Sequence, residues 1–188
     1  MRTRALLLDA AIDSLSEVGY ANASTADISG RAGVTRGAFL HHFHTRNELF
    51  SQAVEHLAAR QRRAVQNVAD TLSADTPPAD VLVTLVLSTF SGELGRAAVE
   101  LFVAIRHDED LRRHMLRVQR DLTDDALAIA AKLIGPQTSS DRLELAFWMT
   151  INLVRGTTVD DMLGRDPQRR KEILSRWTEL AAVALAEP

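Results

Sequence analysis

Apolar residues recur along the chain at three- and four-residue intervals, and the alternating runs that make half-buried strands are missing. Leu8, Ala11, Ile12, Leu15 and Val18 follow that spacing, and Gly19 is placed to end the helix they predict. Ser24, with Asp27 three residues on, reads as a capping-box variant that opens a short helix to about Ala32. Gly33 breaks it, and Thr35 caps a second short helix to about His42. Thr45 and Glu48 repeat the pattern at the head of a long amphipathic helix to about Leu72.

The stretch SADTPPAD at 73–80 is linker-like, with Pro77 placed to start a new helix. Helical runs follow at about 78–92, 95–106, 108–134 and 140–163, with stops at Gly135-Pro136 and Gly164. Asp166-Pro167 supplies an N-cap and first turn for a last helix to about Ala186. The expectation is an all-α chain of about nine helices.

Composition narrows the class. The chain has 188 residues, 46% hydrophobic and 25% charged, ordinary proportions for a globular protein of one or two helical domains. Cysteine is absent, which excludes disulfides and thiolate metal sites and is compatible with a reducing cytoplasm. No apolar run is long enough to suggest a membrane span, so a cytoplasmic location without membrane association is expected. A net charge of −3 argues against a generally basic nucleic-acid coat, but leaves room for a small local DNA-binding face.

The segment RAGVTRGAFLHHF at 31–43 carries no nucleophile, paired carboxylates or phosphate loop, so its chemistry has to come from geometry. Two short helices joined by AGV have the proportions of a helix-turn-helix, with Ile28, Ala32, Val34, Phe39 and Phe43 available to pack on the first helix. Thr35, Arg36, Gly37, Ala38, Leu40 and His41 then lie at or near the exposed start of the second helix, the part that enters the major groove. Arg36 can bond guanine O6 and N7 together, while Gly37 and Ala38 keep the helix slim. Thr25 and Thr35 can meet phosphates, as can His41 and, ahead of the first helix's apolar face, Arg4. The run HHFH lacks a carboxylate partner and reads as capping and packing; neither a metal nor a cofactor is expected.

On these residues, DISGRAGVTRGAFLHHFHTRNELF preceded by GYANAST, the chain resembles the tetracycline-repressor (TetR) family of transcriptional regulators over roughly residues 4–50. The resemblance implies a helix-turn-helix DNA-binding domain at 1–47 and an effector-binding and dimerisation domain at 48–188. It implies a homodimer on a palindromic double-stranded operator, usually a repressor, released by a small molecule. Tyrosine is the family's usual residue where Leu40 stands, and its hydroxyl contacts phosphate; Leu40 cannot, so that contact is lost or replaced by one to a thymine methyl. His44 stands where proline is common, and Arg46 where lysine is, keeping a charge suited to phosphate.

The helix at 140–163 is apolar almost all round from Leu143 to Val154, which suggests cover on both sides. Its Leu145, Trp148 and Gly156 are dimer-interface candidates. From the last helix come Ile173, Trp177, Leu180, Ala181 and Ala184. Effector-pocket candidates are Phe90, Leu94, Phe102, Ile105, Met115 and Val118, with Leu122 and Phe147. Arg106, His107, Asn152 and Arg155 are the polar groups that would orient a ligand among them.

Two other classes compete with this reading. A helical-bundle di-metal enzyme wants Glu-x-x-His pairs, and the sequence has none, so a non-enzyme is expected. An interaction module that lost DNA binding finds support in Leu40 and in the modest local charge: Arg2, Arg4, Arg31, Arg36 and Arg46 narrowly exceed Asp9, Asp13, Glu17 and Asp27.

Overall fold

The computed structural model describes residues 2–164 and 166–186. Among them are nine α-helices and no strand: α1 (Arg2–Asn22), α2 (Thr25–Arg31), α3 (Arg36–His42), α4 (Arg46–Ala69), α5 (Pro78–Phe90), α6 (Gly92–Ala104), α7 (Glu109–Ile134), α8 (Ser140–Met162) and α9 (Pro167–Ala186). A single 3₁₀ turn, Ile105–His107, follows α6.

The caps form where the side chains predict them. Ser24 Oγ accepts from the Asp27 amide at 3.1 Å, Thr35 Oγ1 from the Ala38 amide at 3.2 Å, and Thr45 Oγ1 from the Glu48 amide at 3.0 Å. Asp166 accepts from the Gln168 amide at the head of α9. The reciprocal halves of the boxes go elsewhere. Asp27 turns to the Ser14 hydroxyl and to Arg31, and Glu48 reaches one residue further back, to the His44 amide.

Gly19 does not end α1 but breaks it. Its φ of +77° interrupts the helix, which then resumes to Asn22 with the Ala23 amide on the Gly19 carbonyl. Helix α4 stops at Ala69, three residues early, because Thr71 and Leu72 close tight turns onto Val68 and Ala69.

The chain divides into two compact units, Met1–Arg60 with Gly92–Asp121, and Gln61–Ser91 with Leu122–Pro188. In the first, α1 packs along α6 and carries α2 and α3. Leu7, Leu8, Ala11, Ile12 and Leu15 form α1's buried face, and Ile28, Phe39 and Phe43 are buried, as are Leu49, Phe50 and Leu57 of α4. Ala97 and Ala98 of α6 are fully buried; their small side chains permit a close approach to α1. In the second unit α5, α8 and α9 pack on one another, with Leu82, Leu85, Phe147, Ile151, Val154 and Ala181 buried among them.

Candidate nucleic-acid interface

Helix α3 owes its placement to what surrounds it. Gly33, at φ +65°, lets the chain leave α2, and the Val34 amide bonds the Ser29 carbonyl at 3.0 Å. Phe39 is buried and its ring lies 5.9 Å from that of Phe43, so the opposite face of α3 turns to solvent. That face carries Arg36, Gly37, Leu40 and His41, all exposed, with Ala38 half-buried. Beside it runs a groove of about 670 Å³ lined by residues that include Thr25, Ser29, Val34, Arg36 and Leu40. Added to Gly37, a Cβ would meet only Thr35 Oγ1, at 3.8 Å, so the helix surface is open there. The His41 ring sits edge-on to His42 at 5.0 Å.

The acidic residues of this region are engaged internally. Arg31 pairs with Glu17 at 2.7 Å and with Asp27 at 2.8 Å, and Asp9 meets His56 at 2.7 Å. The Ser14 hydroxyl and then Arg31 hold the Asp27 carboxyl below its usual range. Among the described residues no hydrogen bond or ion pair takes up the Arg36 guanidinium, so its charge remains available at the surface.

Two expected phosphate contacts have other neighbours. Arg46 gives Nε to the Ala23 carbonyl at 3.0 Å and Nη2 to the Tyr20 carbonyl, and its guanidinium stacks 4.1 Å from the Tyr20 ring centre and 4.7 Å from that of Phe50. It ties the end of α1 to the start of α4. Arg4 donates to Gln52 and lies 6.0 Å from the Phe43 ring centre, though it stays exposed.

The effector candidates fall into both units and are described in each. In the first unit Met115 and Val118 are buried, Leu94, Phe102 and Ile105 half-buried, and Arg106 exposed. The His107 side chain lies outside the described residues. In the second, Phe90, Leu122 and Phe147 are buried and Arg155 half-buried, while Asn152 is exposed and bonds its own helix at the Trp148 carbonyl. The Arg155 guanidinium stands 4.9 Å from the Phe90 ring centre, and burial lowers its pKa from the ordinary value.

Sequence reading missed Gln61. It is fully buried, gives Nε2 to the Thr89 carbonyl at 2.8 Å, and its Oε1 has no hydrogen-bond partner among the described residues. The signal was present: Leu57, Ala58, Gln61 and Val65 share one helical face, so a polar side chain interrupts an apolar stripe.

On α8 the two sides separate cleanly. Leu143, Phe147, Ile151 and Val154 are buried, whereas Leu145, Trp148, Met149 and Val159 are exposed, with Gly156 between them. Leu180 and Ala184 of α9 are exposed and Ile173 and Trp177 half-buried, the Trp177 indole donating to Thr150 Oγ1 at 2.9 Å. Ala181 differs from the expectation. It faces inward and is fully buried within the chain, because it falls on the side of α9 that packs on its neighbours.

An exposed recognition-type helix held by a glycine turn on a helical unit defines a helix-turn-helix DNA-binding regulator. Comparison with known proteins agrees. Residues 7–53 match the model of the bacterial regulatory proteins of the tetR family. The HTH-type transcriptional regulator CymR of Pseudomonas putida is 31% identical over 96% of this chain and 90% of its own length. An uncharacterised HTH-type transcriptional regulator of Mycobacterium bovis is 35% identical over 62% of this chain, and the match spans 60% of that relative. The fold is that of a TetR-family regulator structure from Rhodococcus sp., with TM-score 0.74, 18% identity and full coverage of both chains. It also matches LfrR of Mycobacterium smegmatis, solved in complex with proflavine, with TM-score 0.65 and 19% identity over 100% of this chain and 98% of that one. The chain belongs to the TetR family and is a transcriptional regulator of that type.

Proposed function

We propose that the protein is a repressor that binds a palindromic operator as a homodimer and leaves it when a small molecule binds. The exposed face of α3 is the observation that carries the DNA half of this reading. Arg36 reads a guanine through O6 and N7, with Gly37 and Ala38 admitting the helix to the groove. Thr25, Thr35, His41 and Arg4 fix the register on phosphates. Arg46 supports these contacts by holding α4 to α1. Residues 1–47 act on the DNA in the cytoplasm, and 48–188 carry the effector and dimer functions.

The exposed apolar stripes on α8 and α9 support dimerisation. Leu145, Trp148, Leu180 and Ala184 would be covered by the same residues of a second copy. Two such copies present their α3 helices to successive major grooves, about 34–36 Å apart or a multiple. The effector reading draws support from the buried Gln61 and the half-buried Arg155 beside the Phe90 ring, and from LfrR binding proflavine. An effector acts only through a difference in affinity between the two half-site spacings, so effector and operator weaken each other reciprocally, by about 1–3 kcal/mol. The protein works by binding rather than by catalysis.

The test is a shift and footprint screen on DNA flanking the protein's own gene, repeated with added metabolites. A symmetric, salt-dependent footprint released by one of them is expected. Absence of any salt-dependent shift would leave an interaction module in place of a regulator. Equal effector affinity for free and DNA-bound protein would remove the ligand switch.

A further inference from the structure

Leu40 is 45% exposed on α3, on the side of the helix away from the buried Phe39. Arg36 and Leu40 are four residues apart and share one face of the helix. A leucine offers no donor or acceptor, so a phosphate gains nothing from it. The major-groove edges of the bases present donors, acceptors and one apolar group, the thymine C5-methyl. Four residues of helix advance about 6 Å, close to two base steps of about 3.4 Å each.

We infer that Leu40 is a specificity-determining residue that reads a thymine methyl, and that each half-site holds this thymine within two base pairs of the guanine read by Arg36. The inference rests on the DNA-binding reading above and adds the sequence class of the operator. Gly37, between the two side chains, leaves the helix surface open to the intervening base pair.

The experiment uses the full chain and duplexes that it selects from a random library. Single substitution of 7-deazaguanine for guanine, which removes the N7 acceptor, locates the base that Arg36 reads. Single substitution of deoxyuridine for thymine deletes only the methyl. One thymine within two base pairs of the located guanine should lose about fourfold in affinity per half-site, the worth of one buried methyl-sized group. The Leu40→Ala protein should bind more weakly and no longer respond to deoxyuridine at that position. Wild-type indifference to deoxyuridine at every thymine, with selected duplexes still bound, overturns the Leu40 assignment and leaves the regulator reading standing. A sensitive thymine more than two base pairs from the guanine overturns it also, as does unchanged sensitivity in Leu40→Ala. Failure to select any duplex overturns the DNA-binding reading and this inference with it.

Discussion

The guanidinium of Arg46 lies 4.1 Å from the centre of the Tyr20 ring while donating to the Tyr20 and Ala23 carbonyls. One side chain therefore neutralises exposed carbonyls at the end of α1 and pins the first turn of α4 against it. Arg46→Ala should lower stability by roughly 1.5–3 kcal/mol, the range for a hydrogen bond to a charged group. Lysine should recover only part, since it lacks the planar fork that reaches two carbonyls and stacks on rings. Chemical denaturation measures this. If instead Arg46→Ala leaves stability unchanged and flattens the salt dependence of DNA binding, the side chain serves a phosphate.

Arg36→Ala should behave differently, because no hydrogen bond or ion pair among the described residues takes up its guanidinium. Stability should stay within about 0.5 kcal/mol of the parent, as for ordinary surface changes. Operator binding should fall by roughly 1–3 kcal/mol, with discrimination lost at one base pair per half-site. Titration against single-base operator variants checks both points. A uniform loss across all variants would make Arg36 a phosphate contact.

The exposed stripe on α8 makes a separate demand. Leu145 and Leu180 are each 63% exposed in the single chain, so a charge at either costs little in the monomer. In a dimer, each substitution brings two unpaired charges to an apolar interface. Leu145→Glu and Leu180→Glu should convert a sedimenting dimer to a folded monomer, with the parent's helical circular dichroism retained. A parent that sediments as a monomer at micromolar concentration would refute dimerisation outright.

What the sequence disclosed follows from how far each determinant reaches. Ser24, Thr35 and Thr45 cap backbone amides three residues away, so their roles were visible in the local pattern. That α8 is apolar on both sides was visible for the same reason, but which side is buried was not, and packing decides that Phe147 faces inward and Leu145 outward. Gln61 was legible as a polar break in an apolar stripe, but its partner Thr89 was not, nor was the Tyr20 carbonyl that Arg46 holds, because these partners stand 28 and 26 residues away. Ala181 shares its helical spacing with Trp177 and Leu180, and only packing decides that it faces inward.

Two carboxylates should tune stability in opposite directions with pH. Burial first, then the Glu93 carboxylate bonded to it, raises the Asp13 pKa above its ordinary 3.8, with Arg60 opposing. Its contribution is full below that ordinary value and is lost as pH rises through the elevated one. Asp13→Asn should therefore be more stable than the parent at neutral pH and converge with it in acid. Asp27 is held below 3.8, chiefly by Ser14 and then by Arg31. Its contribution is present above that value and lost as pH falls through the lowered one. Asp27→Asn should be less stable at neutral pH and converge in acid. Melting midpoints across the acid range report both, and a shared sign would contradict the assignments.

The break in α1 supplies the last test. Gly19 has φ +77°, and a Cβ there would lie 2.9 Å from Glu100 Oε2, the same oxygen that accepts from the Tyr20 amide at 3.0 Å. Gly19→Ala thus carries two penalties: a positive-φ, extended backbone that is essentially glycine-only, worth about 1–3 kcal/mol, and a clash with the carboxylate that stabilises the break. Glu100→Ala removes the clash and the acceptor but leaves the backbone strain. In the double-mutant cycle alanine at 19 should therefore cost less on the Glu100→Ala background, by at least about 0.5 kcal/mol. Strict additivity would mean that the glycine is required by its backbone angle alone. The distinction matters for coupling, because Glu100 on α6 and Arg46 on α4 grip the same residue, Tyr20, from its amide and its carbonyl. If the cycle shows coupling, a shift of α6 reaches the end of α1, which carries α2 and α3, through this break.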